Sequence, residues 1–145
     1  MIESDLSFSQ ENNLKFKELE DFLDLCELEL EGEDVLPYSF VARKIDTNEI
    51  VGYVGACSTY GTACFIPVFA VHPEHKNTGV ADALIYLAMS KLKAMGFKYF
   101  DATVEQDNEA AKAVYDRYGI PLQPVYALDG NIQDILTVAT KALEE

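Results

Sequence analysis

The run His72-Pro73-Glu74-His75-Lys76-Asn77-Thr78-Gly79-Val80-Ala81 joins an apolar segment to an amphipathic one. A strand that hands over to a helix through small residues makes an anion site. The first N–H groups of a helix have no internal partner, and the helix dipole is positive at that end. Gly79 and Ala81 leave room for a diphosphate to reach backbone amides, and Lys76 adds a charge. Asn77 is a residue type that tolerates a left-handed backbone better than most. A glycine before a helix is also an ordinary turn device, so this loop alone leaves two readings open.

A second constellation lies downstream: Asn108-Glu109-Ala110-Ala111-Lys112-Ala113-Val114-Tyr115-Asp116-Arg117-Tyr118-Gly119. With the first, it resembles the GCN5-related N-acetyltransferase (GNAT) superfamily. That family carries Gln/Arg-x-x-Gly-x-Gly/Ala and, later, Asn-x-x-Ala-x-x-Leu-Tyr-x-x-x-Gly. Here Lys76, Gly79 and Ala81 match the first motif, with lysine for the planar Gln or Arg. Asn108, Ala111, Tyr115 and Gly119 match the second, with Val114 in the leucine place. The resemblance runs from about Tyr38 to Leu143.

The resemblance implies a set of roles. The loop Lys76, Asn77, Thr78, Gly79, Val80 and Ala81 would hold the diphosphate of acetyl-CoA, the acyl donor. Phe69, Ala70 and Val71 would bind the pantetheine arm through main chain, with an amide aimed at the developing oxyanion. Asn108 would bond the same arm, or simply cap its helix, or both. Lys112 would meet a CoA phosphate or be a solvated surface lysine. Tyr115 takes the place of the general acid, since a phenol stays protonated at neutral pH and can hand a proton to departing thiolate. In family members that acetylate protein N-termini, a glutamate often stands five residues before the motif asparagine. That place is Thr103 here, and Glu105, two residues on along the same strand face, is the candidate base. His72 and His75 flank the loop and read as structural or exposed.

Earlier in the chain, Leu14 to Leu30 has the apolar spacing of a helix, through Phe16, Leu19, Leu23, Cys26 and Leu30. Tyr38 to Ile45 and Glu49 to Thr59 read as strands around Asp46-Thr47-Asn48, and Thr62 to Val71 as a third. Pro67 lacks the N–H that a central strand needs, which predicts a bulge or splay there. Gly79 to Met95 reads as a helix closed by Gly96, and Phe97 to Val104 as a parallel strand after it. Asp107 or Asn108 caps a short helix that Gly119 stops. Pro121 and Pro124 mark a loop, and Val125 to Leu128 and Asp134 to Lys141 read as a hairpin around Asp129-Gly130-Asn131. The expected fold is α/β (α+β), the GNAT-like acyl-CoA N-acyltransferase fold: a mixed central sheet with helices on both faces and a bulged, splayed central strand. One helix stands before Tyr38, where the family often has two.

Composition sets the outer bounds. The chain's 145 residues have the length of one domain, residues 1–145, and 49% hydrophobic content with eight Tyr and eight Phe suits a packed core. The net charge of −14 disfavours nucleic acid and anionic membrane as partners, and it also opposes CoA, so backbone amides and Lys76, Lys112 and Arg117 must carry that site. The acidic N-terminus is no signal peptide, and no apolar run is long enough to span a membrane. Cys26, Cys57 and Cys64 lack metal spacing and read as buried reduced thiols, so the expectation is a cytoplasmic protein without a metal. Nine acids lie between Glu18 and Asp34. By the resemblance this region and the final hairpin wall the acceptor site, and an acidic wall would draw a cationic amine; a solvated helix face is the plainer reading.

The leading expectation is an acetyl-CoA-dependent N-acetyltransferase acting on a primary amine of a small molecule or peptide in a ternary complex. The alternative is a catalytically silent GNAT-like domain that binds acyl-CoA or a protein partner. A nucleotide-binding module is disfavoured by the missing Gly-Lys-Ser/Thr. The resemblance leaves a homodimer open, and no segment specifies its interface.

Overall fold

A computed structural model describes residues 5–28, 35–104, 108–120 and 127–144. The order is β1 (Leu6–Gln10), α1 (Phe16–Leu25), β2 (Tyr38–Lys44), β3 (Ile50–Ser58), β4 (Ala63–Val71), α2 (Val80–Ala94), β5 (Tyr99–Thr103), α3 (Glu109–Arg117), β6 (Ala127–Asn131) and α4 (Ile132–Leu143). The strands form one sheet in the order β1-β2-β3-β4-β5-β6. All neighbours are antiparallel except β4 and β5, which α2 joins as a parallel crossover.

Alternation along the strands sorts side chains to two faces. Phe40, Val54 and Phe69 join a core with α2, α3 and α4, through residues such as Leu84, Met89, Tyr115 and Ile135. Their neighbours Val41, Tyr53 and Ala70 join a second core under α1, with Leu19, Phe22 and Leu23. Helices thus cover both faces of a mixed sheet. Gly52 lets α2 approach β3: a Cβ there would stand 2.5 Å from Leu84 Cδ1 and 3.0 Å from Val80 Cγ1.

Two expectations need correction. The first helix is shorter than its apolar spacing suggested. Leu14 precedes it and packs in the same core as Leu19, the staple that fixes a helix entry. At the other end Leu28 N–H bonds Leu23 C=O at 2.9 Å and Glu27 N–H bonds Asp24 C=O at 3.1 Å. This closing motif puts Glu27 at φ +59° and ends the helix before Cys26. Glu29, Leu30 and the rest of 29–34 lie outside the described residues.

The final hairpin is not formed. Asp129-Gly130-Asn131 belongs to β6, paired through Asp101↔Asp129 and Tyr99↔Asn131, and Asp134 to Lys141 is helix α4. Asn131 caps it by accepting from Asp134 N–H at 3.3 Å. Ile132, Ile135, Leu136 and Ala139 are buried at helical spacing and pack in the core that contains α2. Pro121, Pro124 and Val125 lie outside the described residues. No helix among the described residues is long and apolar enough to cross a membrane.

Candidate functional site

The site begins with Pro67. Opposite it, the β3–β4 register slips: Gly55 pairs with Val68 but Cys57 with Phe65. Ile66 and Pro67 therefore stand against Ala56 alone, a bulge that suits a residue without an N–H. The bulge also resets the alternation, so Ile66 faces the α2 side while Val68 faces α1. Pairing of β4 with β5 stops at Ile66↔Ala102. Beyond that point the two parallel strands fork.

The β4 limb of the fork keeps its bonds to β3 on one edge. His72 N–H bonds Val51 C=O at 2.8 Å. By antiparallel alternation Ala70 shares that edge, while Phe69 and Val71 turn their amide groups toward the fork. Two contacts agree with this: Asn108 Nδ2 donates to Phe69 C=O at 3.1 Å, and Cys26 Sγ donates to Val71 C=O at 3.6 Å.

After β4 the chain makes a short 3-10 turn, Pro73–His75, with His72 Nδ1 accepting from Glu74 N–H at 3.1 Å. Asn77 then takes φ +64° and Gly79 φ +88°, both left-handed. Gly79 is the residue before the first turn of α2 and no side chain caps it, so the leading amides of α2 face outward. Asn77 meets the backbone demand that its type suggested. Thr78 turns its hydroxyl to His75 C=O, and Val80 is fully buried under β3. Of the loop residues, Lys76, Asn77, Gly79 and Ala81 line a cavity of about 540 Å³ between α2 and α3, with Val71, His75 and Arg117.

That cavity has acids as well as cations. Asp82 accepts from Tyr118 Oη at 2.6 Å and from Arg117 Nη2 at 3.2 Å, so both charges are largely matched within the wall. Burial, then Asp82, pushes the Tyr118 hydroxyl far above its ordinary pKa. Lys112 pairs with Glu109 at 3.1 Å and is not among the residues lining the cavity. Lys76 is the cation facing both this cavity and a second one.

The second cavity, of about 360 Å³, shares Val71, Lys76 and Glu109 with the first. It runs between β4, Asn108 and the end of α1, where Leu25, Cys26, Glu27 and Leu28 form a wall. The acidic stretch from Glu18 to Asp34, expected by the resemblance to wall the acceptor site, contributes Glu27 to this wall. Cys26 is only half-buried and lines the cleft, contrary to the expectation of a core thiol; Cys57 too is partly exposed. Burial raises the Cys26 thiol to about 11, with Lys76 pulling the other way, so it stays protonated at neutral pH. The expected hairpin wall is absent, because α4 packs on the α2 side of the sheet.

Asn108 and Tyr115 come to the fork from α3. Asn108 caps the helix, accepting from Ala111 N–H at 3.2 Å, while its amide ties α3 to β4 through Phe69. Tyr115 is 0% exposed. Its ring lies edge-on to Phe69, 5.9 Å away, and stacks on Phe100 at 6.2 Å. It therefore sits between β4 and β5 rather than in the wall of either cavity. Its hydroxyl has no hydrogen-bond partner among the described residues. Burial, then Cys64, holds its pKa far above the ordinary phenol value. Glu105 lies outside the described residues; Thr103 stands on the exposed face of β5.

The fold that carries the bulged β4, the parted β5 and the loop before α2 is shared with solved acetyltransferases. An acetyltransferase of the GNAT family from Staphylococcus aureus Mu50 superposes with a TM-score of 0.72 at 12% identity, over 88% of this chain and 99% of that one. YhbS, a GNAT family N-acetyltransferase from Escherichia coli solved in complex with CoA, gives 0.65 at 17%, over 90% and 84%. Ard1 from Thermoplasma volcanium gives 0.64 at 18%, over 86% and 95%. At such identities the likeness speaks for the fold. The sequence model described as Acetyltransferase (GNAT) family matches residues 3–120, and the chain belongs to the GNAT family of acetyltransferases.

Proposed function

We propose that this protein transfers an acetyl group from acetyl-CoA to a primary amine by direct attack in a ternary complex. The observation that carries the reading is the fork. Strands β4 and β5 part just past the Pro67 bulge, with main-chain amides on one limb and, between them, a buried hydroxyl that has no partner among the described residues. A buried polar group without a partner costs about 1–3 kcal/mol, so such a group needs a reason. Donating a proton to the leaving sulfur would be one.

The residues fit CoA as the donor, as in the E. coli relative solved with it. The leading amides of α2, the left-handed loop at Asn77 and Gly79, and Lys76 would take the diphosphate. Arg117 would add charge by turning from Asp82. The two cavities share Val71 and Lys76, so the pantetheine arm could run from one to the other along β4. Phe69 N–H, turned toward the fork, would face the thioester oxygen and stabilise charge as it develops. Tyr115, kept protonated by burial, would supply the proton to sulfur. The amine must arrive neutral, or lose its proton to water or an acid such as Glu105. Holding both partners at the fork would supply much of the rate.

Acyl-CoA binding without turnover remains the second reading, favoured by one observation: Asn108, expected on the CoA arm, already spends its cap and a donor within the protein. Release of free thiol from acetyl-CoA with a panel of amines separates the two. Amine-dependent release that falls in Tyr115→Phe supports transfer; acetyl-CoA binding with no release by any amine overturns it.

A further inference from the structure

The cavity at the end of α1 has a charge that the acyl-donor site does not use. Of the described acids between Glu18 and Glu27, Glu27 is the one that lines this cavity. Of the others, Glu18 bonds Arg43, Glu20 and Asp21 pair with Lys17, and Asp24 does not line the cavity. Glu27 has no ion pair among the described residues. Two further charged groups face the same space. Glu109 is paired with Lys112 at 3.1 Å. Lys76 lines both this cavity and the α2 cavity beside Asn77 and Gly79, and its charge acts on the Cys26 thiol next to Glu27.

Glu27 is also held in place. Its backbone is fixed left-handed by the helix-closing bonds from Glu27 and Leu28 N–H, and Leu28 is buried in one core with Leu23. Glycine or asparagine usually fills such a position, because other residues are strained there. Beside Glu27, Leu25 and Leu28 give the wall an apolar stretch. The wall therefore offers an alkyl surface next to a carboxylate, across the cleft from the β4 amides.

We infer that Glu27 reads the charge of the acceptor, and that the acceptor is an α,ω-diamine or a chain like one. One neutral nitrogen attacks at the fork, the alkyl chain lies on Leu25 and Leu28, and the far ammonium rests on the Glu27 carboxylate. This rests on the acetyl-transfer reading and narrows its substrate class.

The test compares putrescine with n-butylamine, which has the same chain length and one charge fewer, at saturating acetyl-CoA. The wild type should prefer putrescine in kcat/KM by about tenfold, the size of one charge-assisted contact. Glu27→Gln should erase the preference through KM. Glu27→Gly suits the left-handed backbone and should erase it too while keeping the wild-type melting temperature or raising it. Calorimetry of putrescine on the CoA-saturated protein gives a readout without turnover, with about tenfold weaker binding in Glu27→Gln. Equal use of the two amines by the wild type, or a preference that survives both variants, overturns the inference and leaves acetyl transfer standing. Putrescine binding that depends on Glu27, with no thiol release by either amine, upholds the Glu27 assignment and overturns transfer. Failure of the wild type to bind putrescine overturns the inference.

Discussion

Replacing Tyr115 with phenylalanine should make this protein more stable and less active at once. The ring is 0% exposed and packed between Phe69 and Phe100, contacts that phenylalanine keeps. The hydroxyl is buried with no partner among the described residues. Burying such a group unpaired costs about 1–3 kcal/mol, and losing its one oxygen atom from the packing recovers only part of that. The net expectation for Tyr115→Phe is a gain of about 1 kcal/mol, or about 2–4 °C in melting temperature for a chain of this size. If the hydroxyl is the proton donor to sulfur, kcat should fall by about 10²–10⁴-fold. The assay is thermal and urea unfolding beside thiol release at saturating amine. A variant that loses more than about 1 kcal/mol would show the hydroxyl well bonded in the folded protein. Unchanged turnover would remove it from the chemistry.

Four further outcomes follow from the packing and its hydrogen bonds. Gly52→Ala drives a methyl to within 2.5 Å of Leu84 Cδ1 in a filled core, and should cost about 1–3 kcal/mol in urea unfolding with the loop before α2 displaced. Arg43 spends all five of its N–H donors on Glu11, Glu18 and the Asn48 carbonyl, and its side chain is 10% exposed. Arg43→Met leaves two carboxylates facing each other and should cost about 3 kcal/mol, the low end for a broken buried pair because Glu18 is partly exposed. The same cluster sets a pH limb. Hydrogen bonds from Arg43 hold the Glu18 carboxyl below its ordinary 4.5, so its contribution is full above that pH and drains as pH falls through the lower folded value. Arg43→Met should flatten this acid limb in a series of unfolding curves. Asn108→Ala removes the α3 cap and the tie to Phe69; about 1–2 kcal/mol of stability should go, and KM for acetyl-CoA should rise.

Local signals made much of this architecture readable in the chain. Pro67 in an apolar strand, Gly79 before α2, and the Asn108 cap of α3 each act within a few residues, so their consequences could be stated from sequence. The fork followed from Pro67 because a missing N–H must be accommodated where it falls. The final segment misled because Asp129-Gly130-Asn131 has hairpin chemistry and Thr137, Val138 and Thr140 favour strands. The period of Ile132, Ile135, Leu136 and Ala139 outweighed both once α2 offered an apolar face. The α1 wall of the cleft was readable only as an acidic stretch, Glu18 to Asp34, without the residues that reach the cleft. It depends on where the helix stops, and a left-handed glutamate is not a signal that a sequence advertises. Cys26 and Glu27 reach the cleft because of that stop.

The most direct test of the account is a calorimetric titration of acetyl-CoA into the wild type and into Gly79→Glu. The substitution puts a like-charged side chain at φ +88°, at the foot of the helix taken to hold the diphosphate. The wild type should show saturable one-site binding in the micromolar range, and a variant that is still folded by circular dichroism should show none. A wild type that takes up no acetyl-CoA, or a variant that binds it equally well, would contradict the account.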